Sequence, residues 1–301
     1  MSAVNCSVCG KPADNVVSAV GGRNVYACGG CGVFFLSPQL SGEELTAMYQ
    51  ESYYRSWGLS GERENEAVRR MKTATFGLRL DLIGAYKKSG TILDVGCATG
   101  FFLEKAKERG FRPYGVELSP YSCAIARKKL GEERVHLGTL ETAPFGEKYF
   151  DVINMSDLLE HVRSPRETLR AARRLLKDDG VLVIMTPDTD SLTRRLMGPG
   201  WTHYKEEHFF YFNRRSLAYL AAGSGFEAVH FEPAKKFMNL AYLRLQFQVY
   251  PHRFLSPLSA FLFGLLPGPL RSGNFRLTMG EMVAVLKPSV KAGEAGPEPS
   301  I

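Results

Sequence analysis

The segment Ile92-Leu93-Asp94-Val95-Gly96-Cys97-Ala98-Thr99-Gly100-Phe101 constrains the fold more than any other stretch of this chain. A short apolar run enters a turn with two glycines, and helix-forming residues follow at once. In an open α/β sheet a ligand sits at the carboxyl ends of the strands, where this turn lies. Glycine lets the backbone approach the ligand, and the helix start offers free N–H groups. Glu117 ends the next apolar run, 23 residues after Asp94. A carboxylate at that place can accept two hydrogen bonds from ribose hydroxyls.

The pattern around this segment repeats. Ile92–Val95, Tyr114–Glu117, Val135–Leu137, Asp151–Met155 and Val181–Met185 read as strands, with helices over Phe101–Arg109, Pro120–Leu130 and Pro165–Leu176. Such alternation predicts an α/β fold, a doubly wound parallel sheet with helices on both faces. Gly110 and Gly131 stand where helices end, and Asp178-Asp179-Gly180 reads as a turn. Asn213 and Gly223 frame a helix over Arg214–Ala222, and Phe226–Phe231 and Glu281–Leu286 read as two last strands. The expected organisation is a cysteine module at 1–40, a helical connector at 41–75 (Glu43 to Tyr49, then Glu62 to Met71) and a core at 76–190. A substrate or lid region with the last strands at 191–287 and a disordered tail at 288–301 complete it.

Glycine spacing alone is weak, because dinucleotide enzymes also use it. Here the pattern is Asp-x-Gly-x-x-x-Gly, which resembles motif I of class I S-adenosylmethionine-dependent methyltransferases. Gly138-Thr139-Leu140-Glu141 resembles that family's adenine loop after strand three. Phe150-Asp151-Val152-Ile153 resembles strand four, and Leu175-Leu176-Lys177-Asp178-Asp179-Gly180 resembles the approach to strand five. The resemblance covers roughly 76–190, and it implies a Rossmann-like methyltransferase sheet that binds S-adenosylmethionine. It further implies that Asp94 lies near the methionine part, with Gly96 and Gly100 allowing close approach. Glu117 would hold the ribose and Leu140 would line the adenine pocket. Cys97 and Cys123 read as small filler and core.

Cys6-x2-Cys9 and Cys28-x2-Cys31 are two pairs separated by 18 residues, the spacing of a four-cysteine zinc ribbon. Four thiolates can close a tetrahedral Zn²⁺ site, which leaves no open position and is therefore structural. A segment this short cannot build an adequate core, so the metal would supply its folding energy.

Methyl transfer is an in-line displacement in which a protic acceptor must also lose a proton. Two histidine segments compete for that end of the reaction. In Ser156-Asp157-Leu158-Leu159-Glu160-His161, a helix would put Asp157, Glu160 and His161 on one face. That segment resembles the acidic-x-x-Glu-His element of ubiquinone-pathway O-methyltransferases, which implies Mg²⁺; a capped helix start with a structural histidine is the other reading. The second segment, Trp201-x6-His208-Phe209-Phe210-Tyr211-Phe212-Asn213, resembles an element after strand five in ubiquinone-type and zinc-ribbon methyltransferases. His208 is there the preferred base or acceptor-orienting residue, against an aromatic lid cluster. The cysteine module and a long apolar insert depart from the ubiquinone-pathway pattern, so the substrate does not carry over.

Composition narrows the partners. The chain is 45% hydrophobic and 23% charged, as ordinary globular proteins are. It shows neither a secretory signal nor an apolar run of about 18 residues, so a cytoplasmic protein with reduced cysteines is expected. Of the net +7, +6 lies from Ser191 onward, and 233–280 holds no acidic residue. That insert joins Lys235, Lys236, Arg244, Arg253, Arg271 and Arg276 to the apolar run Phe254–Pro267. Three readings stay open for it: a lid, a homodimer interface, or contact with the inner membrane surface. The expected acceptor is a small molecule, a sugar or a lipid-linked compound. An RNA or protein methyltransferase using the ribbon for recognition is the alternative. Residues 1–40 carry only Lys11 and Arg23 as cations, which speaks against nucleic acid. A third reading, a non-catalytic binding module, is opposed by the intact loop at Asp94–Gly100.

Overall fold

Apolar residues recur on both faces of consecutive strands, and the structure buries both faces. In a computed structural model, residues 4–44, 66–239 and 275–289 are described, with a few single positions between the last two. Five short strands come first: β1 (Val4–Asn5), β2 (Pro12–Ala13), β3 (Asn15–Val20), β4 (Arg23–Ala27) and β5 (Phe34–Ser37). Helix α1 (Glu66–Gly84) leads into β6 (Gly90–Val95), α2 (Phe101–Glu108), β7 (Phe111–Glu117), α3 (Pro120–Leu130) and β8 (Val135–Leu137). Then follow β9 (Phe150–Ser156), α4 (Pro165–Leu175), β10 (Leu176–Pro187), α5 (Leu192–Met197), β11 (Phe210–Tyr211), α6 (Arg214–Ala222), β12 (Phe226–Met238) and β13 (Phe275–Pro288).

Seven strands form one sheet in the order β12-β13-β10-β9-β6-β7-β8. The pairs from β10 to β8 are parallel, and β13 is antiparallel to both β10 and β12. The order reverses at β6, so the crevice at the carboxyl ends of β6 and β9 is where a ligand belongs. Alternate side chains serve opposite faces. Ile92, Val152 and Val183 pack on the side of Leu80, Phe102 and Phe111, while Leu93, Ile153 and Leu182 pack on the other.

That second face continues without a break into the cysteine module. Val25, Phe35 and Leu36 belong to the same buried cluster as Leu93 and Leu182, joined through Trp201 and Phe209 to Phe212. The joining residues explain themselves. Phe209, Phe210, Tyr211 and Phe212 are all fully buried, as a strand covered on both faces must be, and each contributes about 2 kcal/mol of burial. β11 pairs antiparallel with β5, Phe210 opposite Phe35 and Tyr211 opposite Phe34. The module's sheet is therefore β11-β5-β4-β3, with its fourth strand drawn from beyond β10 in the chain.

Several boundaries differ from expectation. Asp178-Asp179-Gly180 is no turn: β10 starts at Leu176 and absorbs the three residues as a register shift before Val181. The segment after β9 is a turn rather than a helix. Asp157 adopts a left-handed φ of 51, and its N–H donates to Met185 O at 2.9 Å. The chain bends there, and the next helix starts only at Pro165. α1 runs through the boundary expected at 75/76. β12 and β13 extend well past Phe231 and Glu281, so both ends of the expected insert at 233–280 are paired strand, Lys236 opposite Leu277 and Met238 opposite Phe275. The apolar run Phe254–Pro267, apart from single positions, lies outside the described residues, as do Arg244, Arg253 and Arg271, the tail from 290 and most of the connector between 45 and 65. No described helix is long and apolar enough to cross a membrane.

Candidate active site

The loop after β6 is shaped by its backbone. Gly96 and Gly100 hold φ of 76 and 81, a region that side chains disfavour. Gly96 lines a cavity of about 260 Å³ together with Asp94 and Thr99. Gly100 serves a different end. A Cβ there would meet Ala126 Cβ at 3.3 Å, so its bareness lets α2 start hard against α3. Glu117 closes the loop from behind: the Ala98 N–H donates to Oε2 and the Ser119 N–H to Oε1, both at 2.8 Å. Glu117 and Leu140 are buried, at 5% and 2% exposure, and neither is among the residues lining the cavity.

The floor is a polar chain. Asn154 Nδ2 donates to Asp94 Oδ1 at 2.6 Å, and Ser156 Oγ bonds Asn154 Oδ1 at 3.2 Å. Arg79 donates to Ser156 Oγ and lies against Met185 Sδ. Burial pushes the Asp94 carboxyl up to about 7 despite Asn154 and the Arg79 charge. Burial likewise draws the Arg79 guanidinium below its ordinary value. Met71, Thr75 and Arg79, four residues apart on α1, present one helix face to the cavity. Lys236 comes from β12, where the next residue, Phe237, donates its N–H to Thr75 Oγ1 of α1 at 2.9 Å. The Lys236 ammonium bonds Glu281 at 2.7 Å and faces Asp157 at 3.5 Å. The nearby Asp157 and Glu281 carboxylates outweigh burial and raise its ammonium above the ordinary lysine value.

The sequence reading missed Arg79, Thr99, Asn154, Ser156 and Lys236. Polar residues closing the apolar strand Phe150–Met155, and an arginine at helical spacing from Met71 and Thr75, were the available signals. Lys236 carried none, because its position depends on how far β12 extends.

The two competing histidine segments come together. The His161 and His208 rings meet edge-on with centroids 4.5 Å apart. Phe209 and Phe210 both donate their N–H groups to Glu160 O, at 2.7 and 3.2 Å, which locks β11 to the turn. Ligating atoms of Glu160, His161 and His208 lie within 4.8 Å of one another. Asp157, expected in such a group, is not in it: its carboxylate faces Lys236 instead. Glu160 is buried and accepts from Thr186 Oγ1 at 3.0 Å, and burial raises its carboxyl well above the ordinary range. Burial lowers His161 to about 4 and carries His208 well below its ordinary value. Burial therefore favours the neutral form of both rings. His208 Nδ1 and Trp201 Nε1 are buried without a partner among the described residues. Trp201, Tyr204 and Tyr211 complete an aromatic surround, with Tyr204 and Tyr211 at 5.1 Å.

In the N-terminal module the Sγ atoms of Cys6 and Cys31 are 3.8 Å apart, those of Cys9 and Cys28 3.4 Å, and all four lie within 4.8 Å.

A family model described as a methyltransferase domain matches residues 67–231. The ubiquinone biosynthesis O-methyltransferase of Actinobacillus pleuropneumoniae is 35% identical over 124 residues, 36% of this chain and 52% of that protein. Its counterpart in Pasteurella multocida is 33% identical over 109 residues, 32% and 45% of the two chains. The chain spans about half the length of the curated relatives it matches. A Pyrococcus horikoshii protein superposes with a TM-score of 0.53 at 18% identity, over 80% of this chain and 100% of that one. The Burkholderia thailandensis 1,6-didemethyltoxoflavin-N1-methyltransferase, solved with S-adenosylhomocysteine, gives 0.50 at 16% over 92% and 100%. These two likenesses speak for the fold.

Proposed function

The chain belongs to the class I S-adenosylmethionine-dependent methyltransferases, and on that premise we propose that it methylates a small-molecule acceptor held beside His161 and His208. One observation carries the reading. The turn at 157–161 joins the two halves of the site: Asp157 lines the cavity, while Glu160 and His161 meet His208. Bound S-adenosylmethionine supplies an electrophilic methyl carbon on a sulfonium centre. The residues present suit it, since the buried Thr99 Oγ1 in the cavity wall has no partner among the described residues. Asp94 and Asn154 orient the ligand from the strand ends, and Glu117 holds the loop that receives it.

At the other end, His208 accepts a hydrogen bond from the acceptor's O–H or N–H at Nδ1 and takes the proton as the new bond forms. The neutral ring is the form that can do so. His161 and the Trp201, Tyr204 and Tyr211 rings exclude water around it. Mg²⁺ does not fit here: two imidazoles and one carboxylate are a poor set for a cation that prefers oxygen ligands.

In the N-terminal module, Cys6, Cys9, Cys28 and Cys31 would hold one structural Zn²⁺. Sulfurs about 2.3 Å from a tetrahedral zinc stand about 3.8 Å from one another, which matches the spread of the four thiols. A macromolecular acceptor is less well served by this module, because Arg23 is already engaged by Glu44 at 2.5 Å and Glu206 at 3.6 Å.

Calorimetry with S-adenosylhomocysteine tests the cofactor half, and binding with one site per chain is the expected result. Labelled S-adenosylmethionine offered with hydroxyl-bearing small molecules, or with RNA and protein, tests the acceptor half. Label entering the macromolecular fraction alone would overturn it.

A further inference from the structure

We propose that the four-cysteine module is a clamp that positions the acceptor-end histidine, gripping the segment from His208 to Arg215 at two points. This rests on the reading of His208 given above. The first grip is the strand pair. β5 lies beside β11, and the Leu36 N–H donates to Phe209 O at 2.9 Å, directly after His208. The second grip is Arg215, which follows β11 in the first turn of α6. Its Nη2 donates to Gly30 O at 3.1 Å, and Gly30 lies between Cys28 and Cys31. The other knuckle is held in parallel: Arg166 Nη2 donates to Val8 O, between Cys6 and Cys9, while its Nη1 donates to Gly223 O at the end of α6, both at 2.9 Å.

Each knuckle thus offers one carbonyl to one arginine of the methyltransferase part. Those carbonyls point where the knuckle turns aim them, and the turns are held by the four sulfurs. On its opposite side the segment is tied to the Glu160 carbonyl. His208 therefore sits two residues before a strand fixed from both flanks, one of them by the cysteine module. None of the residues lining the cofactor cavity comes from that module. The geometry separates two effects: loss of the module's metal loosens the histidine strand and leaves the cofactor cavity formed. The gain from such fixing is catalytic, because a misplacement of about 1 Å can cost about a hundredfold in rate.

The test uses the full chain and needs no identified acceptor. Metal content is measured first, then zinc is removed with a chelator. Expected after removal are amide exchange at Phe209 to Phe212 faster by about a hundredfold, shifted ring resonances of His208, and S-adenosylhomocysteine affinity unchanged within about twofold. Re-adding Zn²⁺ should restore all of them. Unchanged exchange at Phe209 to Phe212 while residues 6–31 loosen would overturn the clamp, and so would loss of S-adenosylhomocysteine binding together with zinc. Two variants test the grips directly, without any removal of metal. Leu36→Pro removes the donor to Phe209, and Arg215→Ala removes the tie to Gly30. Both should shift the His208 ring resonances, with Arg215→Lys restoring part of the shift. Resonances like those of the wild type in both variants would refute the proposal.

Discussion

At the proposed cofactor end, Asp94, Gly96 and Thr99 come from one short run of chain, and the backbone itself makes the turn. At the acceptor end, Glu160 and His161 come from one loop and His208 from another, with α4, β10 and α5 between them. A third segment, β5, joins from the start of the chain. The loop of the first is a local motif, shaped by torsions that glycine tolerates, with Arg79, Asn154 and Lys236 added to its walls from other elements. The second is an assembly, and its parts meet only because buried aromatics and strand pairing carry them together. The difference teaches where a substitution should be felt. Changes in the loop act on affinity and on stability, whereas changes in the assembly act on turnover.

The largest expected effect lies at the assembled end. His208→Gln should lower methyl transfer by about 10²–10⁴-fold while S-adenosylhomocysteine binds as before. A parallel loss of both would break the contrast. Next comes Glu117→Ala, which strips the acceptor from two amides at Ala98 and Ser119. Urea unfolding should show roughly 2–4 kcal/mol lost, and calorimetry a weakened S-adenosylhomocysteine site. Unaltered affinity would take Glu117 out of the cofactor site.

Asp94 sharpens the comparison through pH. Its folded value, about 7, lies above the ordinary carboxyl value. Its contribution to stability is then full below about pH 4 and lost as pH rises through about 7. Asp94→Asn should therefore gain on the wild type over that window, by a few kcal/mol at most. Thermal unfolding at a series of pH values measures it, and parallel curves would show that Asp94 titrates elsewhere. The smallest effect is expected at Gly100→Ala, about 1–2 kcal/mol from the left-handed φ and the tight approach to Ala126. A neutral result in denaturant unfolding would mean that α2 can shift.

The same contrast governs what could be read from the sequence. The strand Val135–Leu137 and the helices Pro120–Leu130 and Arg214–Ala222 stand where local pattern put them, because a periodic apolar face and a cap are written in adjacent residues. β10 began earlier than expected, since Asp178-Asp179-Gly180 is turn chemistry overruled by pairing with β9. The bend at Asp157 has no local sign for a related reason: a left-handed aspartate has no distinct signature, and its N–H bond to Met185 is made to a strand distant in sequence. His161 and His208 were each singled out, yet they were set against one another as rivals. Nothing in either segment says that they touch. That information resides in the pairing of β11 with β5, between stretches separated by almost the whole methyltransferase fold.

That pairing also bears on the order in which the molecule can form. The cysteine module has its own strands by Ser37, long before β11 has been synthesised. Until then the outer edge of β5, with the Leu36 N–H and two phenylalanines, is an open template for any strand that passes. Such a distant partner makes closure a late event in folding. The cysteine module cut out as a separate fragment would keep that edge for good, and self-association is its expected fate.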